Sequence, residues 1–507
     1  MTDQNTDNQM QEEFFSTEHL KADLKGRSVR GGAVTVGAQA ARFLLQMGST
    51  MVLARLLTPE DYGLIAMVTA ITGFLTMCKD MGLSMATVQR DQISHAQIST
   101  LFWINVLLSI AMMLVTAGLA PVIAWFYGKP ELIWITLVLA GSFVFVGLTV
   151  QHQALLRRQM RFGSLALIQI GSLLAGIATA VVVAFSGGGY WALVLMQLAT
   201  AAATAVGVWI VCDWRPRLPV RRSGVRKMLA FGGNVTAFNV MNYFARNADN
   251  LLIGKFCGPG PLGLYSKAYS LLMMPITQVT APIAAVAIPG LSRLQNDPEQ
   301  YKRYYYRAIN IIAWTTMPIV IMLAALSEEV IRVLLGHQWI GAASIFRVLA
   351  FAALLQPVVN PVGWVYVTLG QTDRMMHWGL IAVPIICLAF AIGLPWGAIG
   401  VATTYMICSL TVLTFPCLWW AFRYSPISVI KWFGAIRCPL LVSLVVYGVV
   451  RVLKSQFHSD NQLWIVLLPA SLGLGAFAIV VAAWPNARIE VGRAVGLLKC
   501  LRSSHGA

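Results

Sequence analysis

"LARLLTPEDYGL", residues 53–64, stands between two long apolar runs, and a fainter copy, "IGKFCGPGPLGL", follows at residues 253–264. When the two stretches are aligned, a basic residue, a proline and a glycine coincide, at Arg55 and Lys255, Pro59 and Pro259, and Gly63 and Gly263. Proline and glycine are typical of turns. The first stretch is therefore predicted to be a structural hairpin that joins helices one and two, and the second to be its repeat.

The helix before each hairpin carries the same pattern of polar residues. Before the first hairpin these are Gln39, Arg42, Gln46, Ser49 and Thr50, and before the second, at the same offsets, Asn239, Asn242, Arg246, Asp249 and Asn250. On a helix, these offsets fall within an arc of about 100°. The pattern indicates an internal duplication. Because an even number of predicted helices separates the copies, it predicts two lobes related by a pseudo-two-fold axis along the membrane normal, with a cavity between them.

The composition is typical of an integral membrane protein. Of the 507 residues, 58% are hydrophobic and 11% are charged. A helix that spans a bilayer needs about 20 apolar residues, and that length divides the chain into about fourteen spans. The predicted fold class is an all-α polytopic membrane protein with two six-helix lobes and two C-terminal helices.

The best internal boundary is a basic loop at 213–227, with the sequence "DWRPRLPVRRSGVRK". Around it, the predicted segments are a polar cytoplasmic tail (1–28), an N-terminal lobe (29–212), a C-terminal lobe (228–421), two extra helices (422–487) and a basic cytoplasmic tail (488–507).

The formal net charge is +17. Most of the lysines and arginines fall in alternate loops, the asymmetry that the positive-inside rule describes, so both termini are predicted to be cytoplasmic. These charges orient the chain and contact anionic lipid headgroups, and nucleic acid is excluded as a partner. The first 28 residues lack the basic start and apolar core of a signal peptide.

Charged residues inside apolar spans are costly, by about 2.5–3.5 kcal/mol each on insertion scales, so each is a candidate for function. Arg42 and Arg246 fall mid-helix on the repeated polar stripes. Guanidinium groups suit phosphate oxygens, so the two arginines are the main candidates for binding an anionic headgroup. Around them, the stripes add Gln39, Gln46, Asn239, Asn242, Asp249 and Asn250. The alternative for Arg246 is an ion pair with Asp249 that neutralises both.

Three further basic residues, Lys79, Lys267 and Arg347, are secondary candidates. Asp249 is also a candidate for coupling to H⁺ or Na⁺, since intramembrane carboxylates mark ion pathways. Glu328 and Glu329 are assigned to a solvated outer loop. Neither a cofactor nor a metal site is predicted. The sequence has no nucleotide-binding lysine loop and no hydrolase motif, so an enzyme is not predicted.

Four motifs in order resemble the polysaccharide transporter family of the multidrug/oligosaccharidyl-lipid/polysaccharide flippase superfamily. They are "LARLLTPEDYGLIAM" (53–67), "KDMGLSMATVQR" (79–90), "NADNLLIGKFCGPGPLGLYSKAYSL" (247–271) and "PITQVTAPIAAVAIPGLSRLQNDPE" (275–299). The likeness covers most of residues 28 to about 420.

The resemblance implies a flippase of the bacterial inner membrane that moves an undecaprenyl-pyrophosphate-linked oligosaccharide between leaflets by alternating access. It would supply exopolysaccharide, capsule or O-antigen assembly, with polymerase or export machinery as candidate partners. Relatives that flip lipid-linked peptidoglycan precursor use cavity arginines, which implies the same for Arg42 and Arg246. A monomer suffices for such a cavity.

Three alternatives stay open. A multidrug exporter of the same superfamily would favour acidic cavity helices, because its substrates are mostly cations. A polysaccharide polymerase or ligase, which is an enzyme, would need a long external loop with catalytic residues. A scaffold without transport would give the intramembrane polar stripes no purpose.

Overall fold

A computed structural model of the chain describes residues 24–78, 87, 93–218, 243, 247–456, 471 and 475. Within these ranges the regular elements are all helices, and no strand occurs. Most of the predicted seventh span (228–253), most of the last predicted span (462–484) and most of both tails lie outside them. The described chain divides into two compact units between Asn247 and Ala248.

The first unit contains six helices. They are α1 (Leu24–Leu56), α2 (Pro59–Cys78), α3 (His95–Tyr127), α4 (Glu131–Arg158), α5 (Phe162–Phe185) and α6 (Trp191–Val211). Helix α3 packs along α4, α5 packs along α6, and α1 contacts α5. A hydrophobic core that includes Phe102, Leu156 and Trp214 lies where the start of α3 meets the ends of α4 and α6.

The second unit begins with helix α7, described at 247–257. It continues through α8 (Pro259–Arg293), α9 (Pro298–Ala325), α10 (Ser327–Leu334), α11 (Ala342–Val359), α12 (Val362–Thr368), α13 (Thr372–Gly393), α14 (Gly397–Ile407), α15 (Thr414–Phe422) and α16 (Val429–Gln456). A π-helical segment, Cys408–Leu413, joins α14 to α15. Helix α9 packs against α8, α11 and α16.

Within the described ranges, nine helical segments are long and apolar enough to cross a membrane. One of them, Thr372–Phe422, has 51 residues, which is enough for two crossings of about 20 residues each. The prediction of an all-α polytopic membrane protein is therefore confirmed. The count of about fourteen spans stays a prediction.

The first hairpin is closed by a reciprocal cap. Helix α1 ends at Leu56 and α2 begins at Pro59. The Thr58 hydroxyl accepts a hydrogen bond from the Asp61 backbone N–H at 3.3 Å, and Asp61 Oδ2 accepts one from the Thr58 N–H at 2.8 Å. This is a capping box, with a proline at the first helical position, where its missing N–H costs nothing. Gly63 was expected to form the turn, but it lies inside α2 and is buried, so that expectation is wrong.

The second hairpin uses a different cap at the same place. Gly258 has φ 89°, a conformation that favours glycine, and Pro259 again opens the next helix. Burial also follows the repeat within each unit. Ser49 and Asp249 are buried, as are Leu53 and Ile253, whereas Arg55 and Lys255 are exposed. These matches support the predicted duplication.

Replacing Asp61 by alanine should lower stability by about 1 kcal/mol, because it removes one half of the capping box. The measurement is thermal unfolding of the purified protein in detergent. Glu60→Ala is the matched control on the same turn, since Glu60 contacts Lys129 only at 3.8 Å and both side chains are well exposed. If the two variants unfold at the same temperature, the cap contributes nothing.

Candidate functional site

Arg42, the main candidate of the first unit, is exposed on α1. Its Nη1 donates a hydrogen bond to Gln169 Oε1 on α5 at 2.9 Å. Within the described part of the chain, no carboxylate lies within ion-pair distance of its guanidinium. Because the amide partner is neutral and uses one of five donors, Arg42 keeps its charge and most of its hydrogen-bonding capacity.

Helix α1 exposes two different faces. Gln39, Arg42 and Gln46 are exposed together on one face. Leu44, exposed by 68%, lies about 160° around the helix from Arg42, since successive residues turn by about 100°. The apolar face suits lipid. An arginine and two amides do not, which means that the polar face must meet water or polar groups.

In the second unit, the described members of the stripe are Asp249 and Asn250. Asp249 is 7% exposed, and its Oδ2 accepts a hydrogen bond from the Tyr265 hydroxyl on α8 at 2.9 Å. Asn250 is half-buried. The candidates Asn239, Asn242 and Arg246 lie outside the described residues, so the predicted pairing of Arg246 with Asp249 is not tested.

The three secondary candidates differ in their surroundings. Lys267 is half-buried on α8, and Lys79 lies outside the described residues. Arg347, on α11, donates a hydrogen bond to Glu328 Oε1 at 2.7 Å and another to the Ser327 hydroxyl at 3.1 Å. These contacts favour a structural role for Arg347 over contact with a substrate.

Arg347 belongs to a cluster of four charges, which we call the outer clasp: Glu328, Glu329, Arg347 and Lys454. Lys454 Nζ, near the end of α16, lies 2.6 Å from Glu329 Oε1 and 3.8 Å from Glu328 Oε2. The Glu329 side chain is only 7% exposed. The expectation that Glu329 is solvated is therefore wrong. The two carboxylates tie the last described helix to α10 and α11.

The electrostatics of the clasp favour the ionised form of Glu328. Burial alone would raise the pKa of Glu328. The hydrogen bond from Arg347 and the positive charges of Lys454 and Arg451 outweigh burial, so the pKa lies below its ordinary value.

One polar cluster escaped the sequence analysis. Asn105 on α3 and Gln151 on α4 are fully buried where the two helices pack. Gln151 Oε1 accepts a hydrogen bond from the Thr87 hydroxyl at 3.0 Å. Both residues are amides inside apolar spans, which is a recognisable signal, but neither is charged and neither lies on the repeated polar stripe. Among the described residues, no group of three His, Cys, Asp or Glu side chains is placed to hold a metal ion.

Comparison with curated proteins finds relatives along nearly the whole chain. The teichuronic acid biosynthesis protein TuaB of Bacillus subtilis is 25% identical over 485 residues, covering 94% of this chain and 98% of the relative. The succinoglycan biosynthesis transport protein ExoT of Rhizobium meliloti is 24% identical over 453 residues, covering 88% of this chain and 91% of the relative.

Comparison with solved structures finds the same fold in the lipid II flippase MurJ, in an inward closed conformation. The TM-score is 0.71 at 14% sequence identity, with 90% of this chain and 100% of the other covered. At that identity the match shows the fold alone.

A family model described as "Polysaccharide biosynthesis protein" matches residues 52–344, more than half of the chain. The match includes both copies of the repeated hairpin. With the polytopic helical fold, it establishes that this chain is a multi-pass membrane protein that belongs to the polysaccharide biosynthesis protein family.

Proposed function

We propose that this protein is a flippase that moves an undecaprenyl-pyrophosphate-linked oligosaccharide across the bacterial inner membrane for assembly of a surface polysaccharide. The observation that carries the proposal is Arg42, an arginine with no described carboxylate partner on the polar face of a membrane helix. A family concerned with polysaccharide biosynthesis supplies the context, and ExoT is named as a transport protein.

The substrate class explains why such a face is needed. A pyrophosphate and several sugars cannot enter bare hydrocarbon without losing their hydrogen bonds to water. Guanidinium and amide groups replace part of that hydration, while the prenyl chain stays in the lipid. Arg42 supplies the charge for the pyrophosphate, and Gln39 and Gln46, one turn to either side, supply donors and acceptors for the sugars.

The repeat predicts a second half of this site in the predicted C-terminal lobe (228–421). The matching half is proposed to consist of Asn239, Asn242 and Arg246, followed along the chain by Asp249 and Asn250. Two such stripes would line the predicted cavity, which opens first to one leaflet and then to the other. The hydrogen bond from Tyr265 to Asp249 supports a role for that carboxylate in positioning α7 against α8.

Topology and partners follow the same proposal. Both termini are proposed to lie in the cytoplasm, which the charge asymmetry of the loops supports, and the chain is proposed to work as a monomer. It is proposed to be a transporter rather than an enzyme, and to hand its product to polymerising or exporting machinery. TuaB and ExoT are named for two different polymers, so the sugar composition of the substrate is left open.

The deciding experiment uses a strain that lacks this protein. Lipid-linked oligosaccharide is quantified by mass spectrometry, and its leaflet is determined by its accessibility to a membrane-impermeant periodate reagent in intact spheroplasts. The expected result is accumulation in the cytoplasmic leaflet with loss of surface polymer, restored by the wild-type gene. Accumulation in the periplasmic leaflet would instead show that the protein acts at the later polymerisation step, and it would refute a role in translocation.

A further inference from the structure

A second group of arginines lies away from the polar stripes, in the second unit. Arg374 near the start of α13 and Arg423 just after α15 are both stacked on aromatic rings. The Arg374 guanidinium carbon lies 3.7 Å from the centre of the Tyr424 ring and 5.7 Å from that of Trp420. The Arg423 carbon lies 5.1 Å from the Trp419 ring centre and 5.5 Å from that of Tyr424. We call these five residues the arginine–aromatic platform.

Hydrogen bonds hold the platform together. The Trp420 indole N–H donates to the Arg374 backbone oxygen at 3.3 Å. The Gln371 side-chain amide donates to the Tyr424 backbone oxygen at 2.9 Å. These contacts join the start of α13 to the end of α15, two places 46 or more residues apart. The rings are therefore fixed supports for the two guanidinium groups.

The platform has two positive charges and no anion. In the described ranges, no carboxylate lies within ion-pair distance of Arg374 or Arg423. Nη1 of Arg374 is buried and has no described hydrogen-bond partner. Stacking occupies the faces of a guanidinium rather than its N–H edge, and that edge is the part that binds phosphate oxygens in pairs.

The surroundings indicate where such a phosphate comes from. Phe415 is 57% exposed and Trp419 is 48% exposed. Phe415, Trp419 and Arg423 follow one another at intervals of four residues, so they form one stripe along α15 that ends at its C-cap. An apolar stripe that ends in tryptophan, tyrosine and arginine is typical of the boundary between hydrocarbon and headgroups.

We propose that the platform binds the phosphate of an anionic phospholipid of the surrounding bilayer, with an acyl chain lying along Phe415 and Trp419. The lipid would neutralise the two arginines and fix the start of α13 against α15. The loop charges place this end of the unit at the cytoplasmic leaflet. This lipid site is separate from the polar stripes proposed to bind the transported substrate.

The test is native mass spectrometry of the purified full-length protein titrated with phosphatidylglycerol or, for comparison, phosphatidylcholine. In R374Q/R423Q, the affinity for phosphatidylglycerol should fall by about tenfold or more, the range expected for lost hydrogen bonds between charged groups. The affinity of R374K/R423K for phosphatidylglycerol should lie between that of R374Q/R423Q and that of the wild type, because lysine keeps the charge but lacks the planar guanidinium group. Unchanged binding in R374Q/R423Q refutes the proposal.

A matched control removes two other charges. Arg303 and Arg307 are exposed on α9 of the same unit, and R303Q/R307Q should bind phosphatidylglycerol like the wild type. An equal loss in this control would show that only net charge matters and would overturn the site. Farnesyl pyrophosphate is the competitor: if it displaces phosphatidylglycerol through Arg374, the occupant is a prenyl pyrophosphate and the phospholipid proposal is wrong. Should R374Q/R423Q fail to fold, R423Q alone is informative, since Arg423 is exposed.

Discussion

Arg42→Ala should reduce transport of the lipid-linked oligosaccharide by at least about tenfold at equal protein level, because hydrogen bonds between charged groups contribute roughly 1.5–3 kcal/mol each. Arg42 meets only the neutral Gln169 in the described structure, so its charge is available to a pyrophosphate. The measurement is the rate at which surface polymer returns after the gene is induced in the strain that lacks the protein.

Two further variants separate binding from packing. Arg42→Lys keeps the charge and should retain part of the activity. Gln169→Ala removes the bond between α1 and α5 but leaves the guanidinium in place, so it should retain most of the activity. If Gln169→Ala loses as much transport as Arg42→Ala, then Arg42 acts by holding α1 against α5, and its assignment to the substrate is wrong.

Much of the fold was predictable because it is governed by local sequence and by the bilayer. Apolar length decides where a helix can span. The repeated prolines were predicted as turn residues of the two hairpins, whereas Pro59 and Pro259 are the first residues of α2 and α8. Gly63 was misplaced because the turn is closed by Thr58 and Asp61 through a capping box. The proline and glycine pattern alone does not distinguish that from a glycine turn.

The candidate site was predictable only in part. The repeated stripe identified Arg42 as an arginine with an exposed polar face. It could not show that Arg347 is paired with Glu328, because that contact joins residues 19 positions apart on two helices. The platform was missed for the same reason. Nothing in the sequence near Trp419 and Trp420 shows that Arg374 lies beside them, because that contact forms only when α13 folds back along α15.

The outer clasp gives the largest expected effect on stability. Lys454→Met should lower the free energy of unfolding by about 3 kcal/mol, because it leaves the Glu329 carboxylate buried without its cation. The pair is short, at 2.6 Å, and the Glu329 side chain is 7% exposed. The expected result is a lower midpoint of thermal unfolding for the purified protein in detergent.

Burial, rather than the presence of an ion pair, is the cause of that effect, and two controls test it. Lys302 and Glu299 form a pair of nearly the same length, 2.7 Å, but Glu299 is 75% exposed, so Lys302→Met should change stability little. In the Lys454→Met background, Glu329→Gln removes the buried charge and should recover much of the loss, since an amide costs far less to bury than a carboxylate. If Lys454→Met and Lys302→Met lower the free energy of unfolding by equally small amounts, then Glu329 becomes hydrated or protonated when its partner is removed. The clasp would then contribute no more than a surface pair.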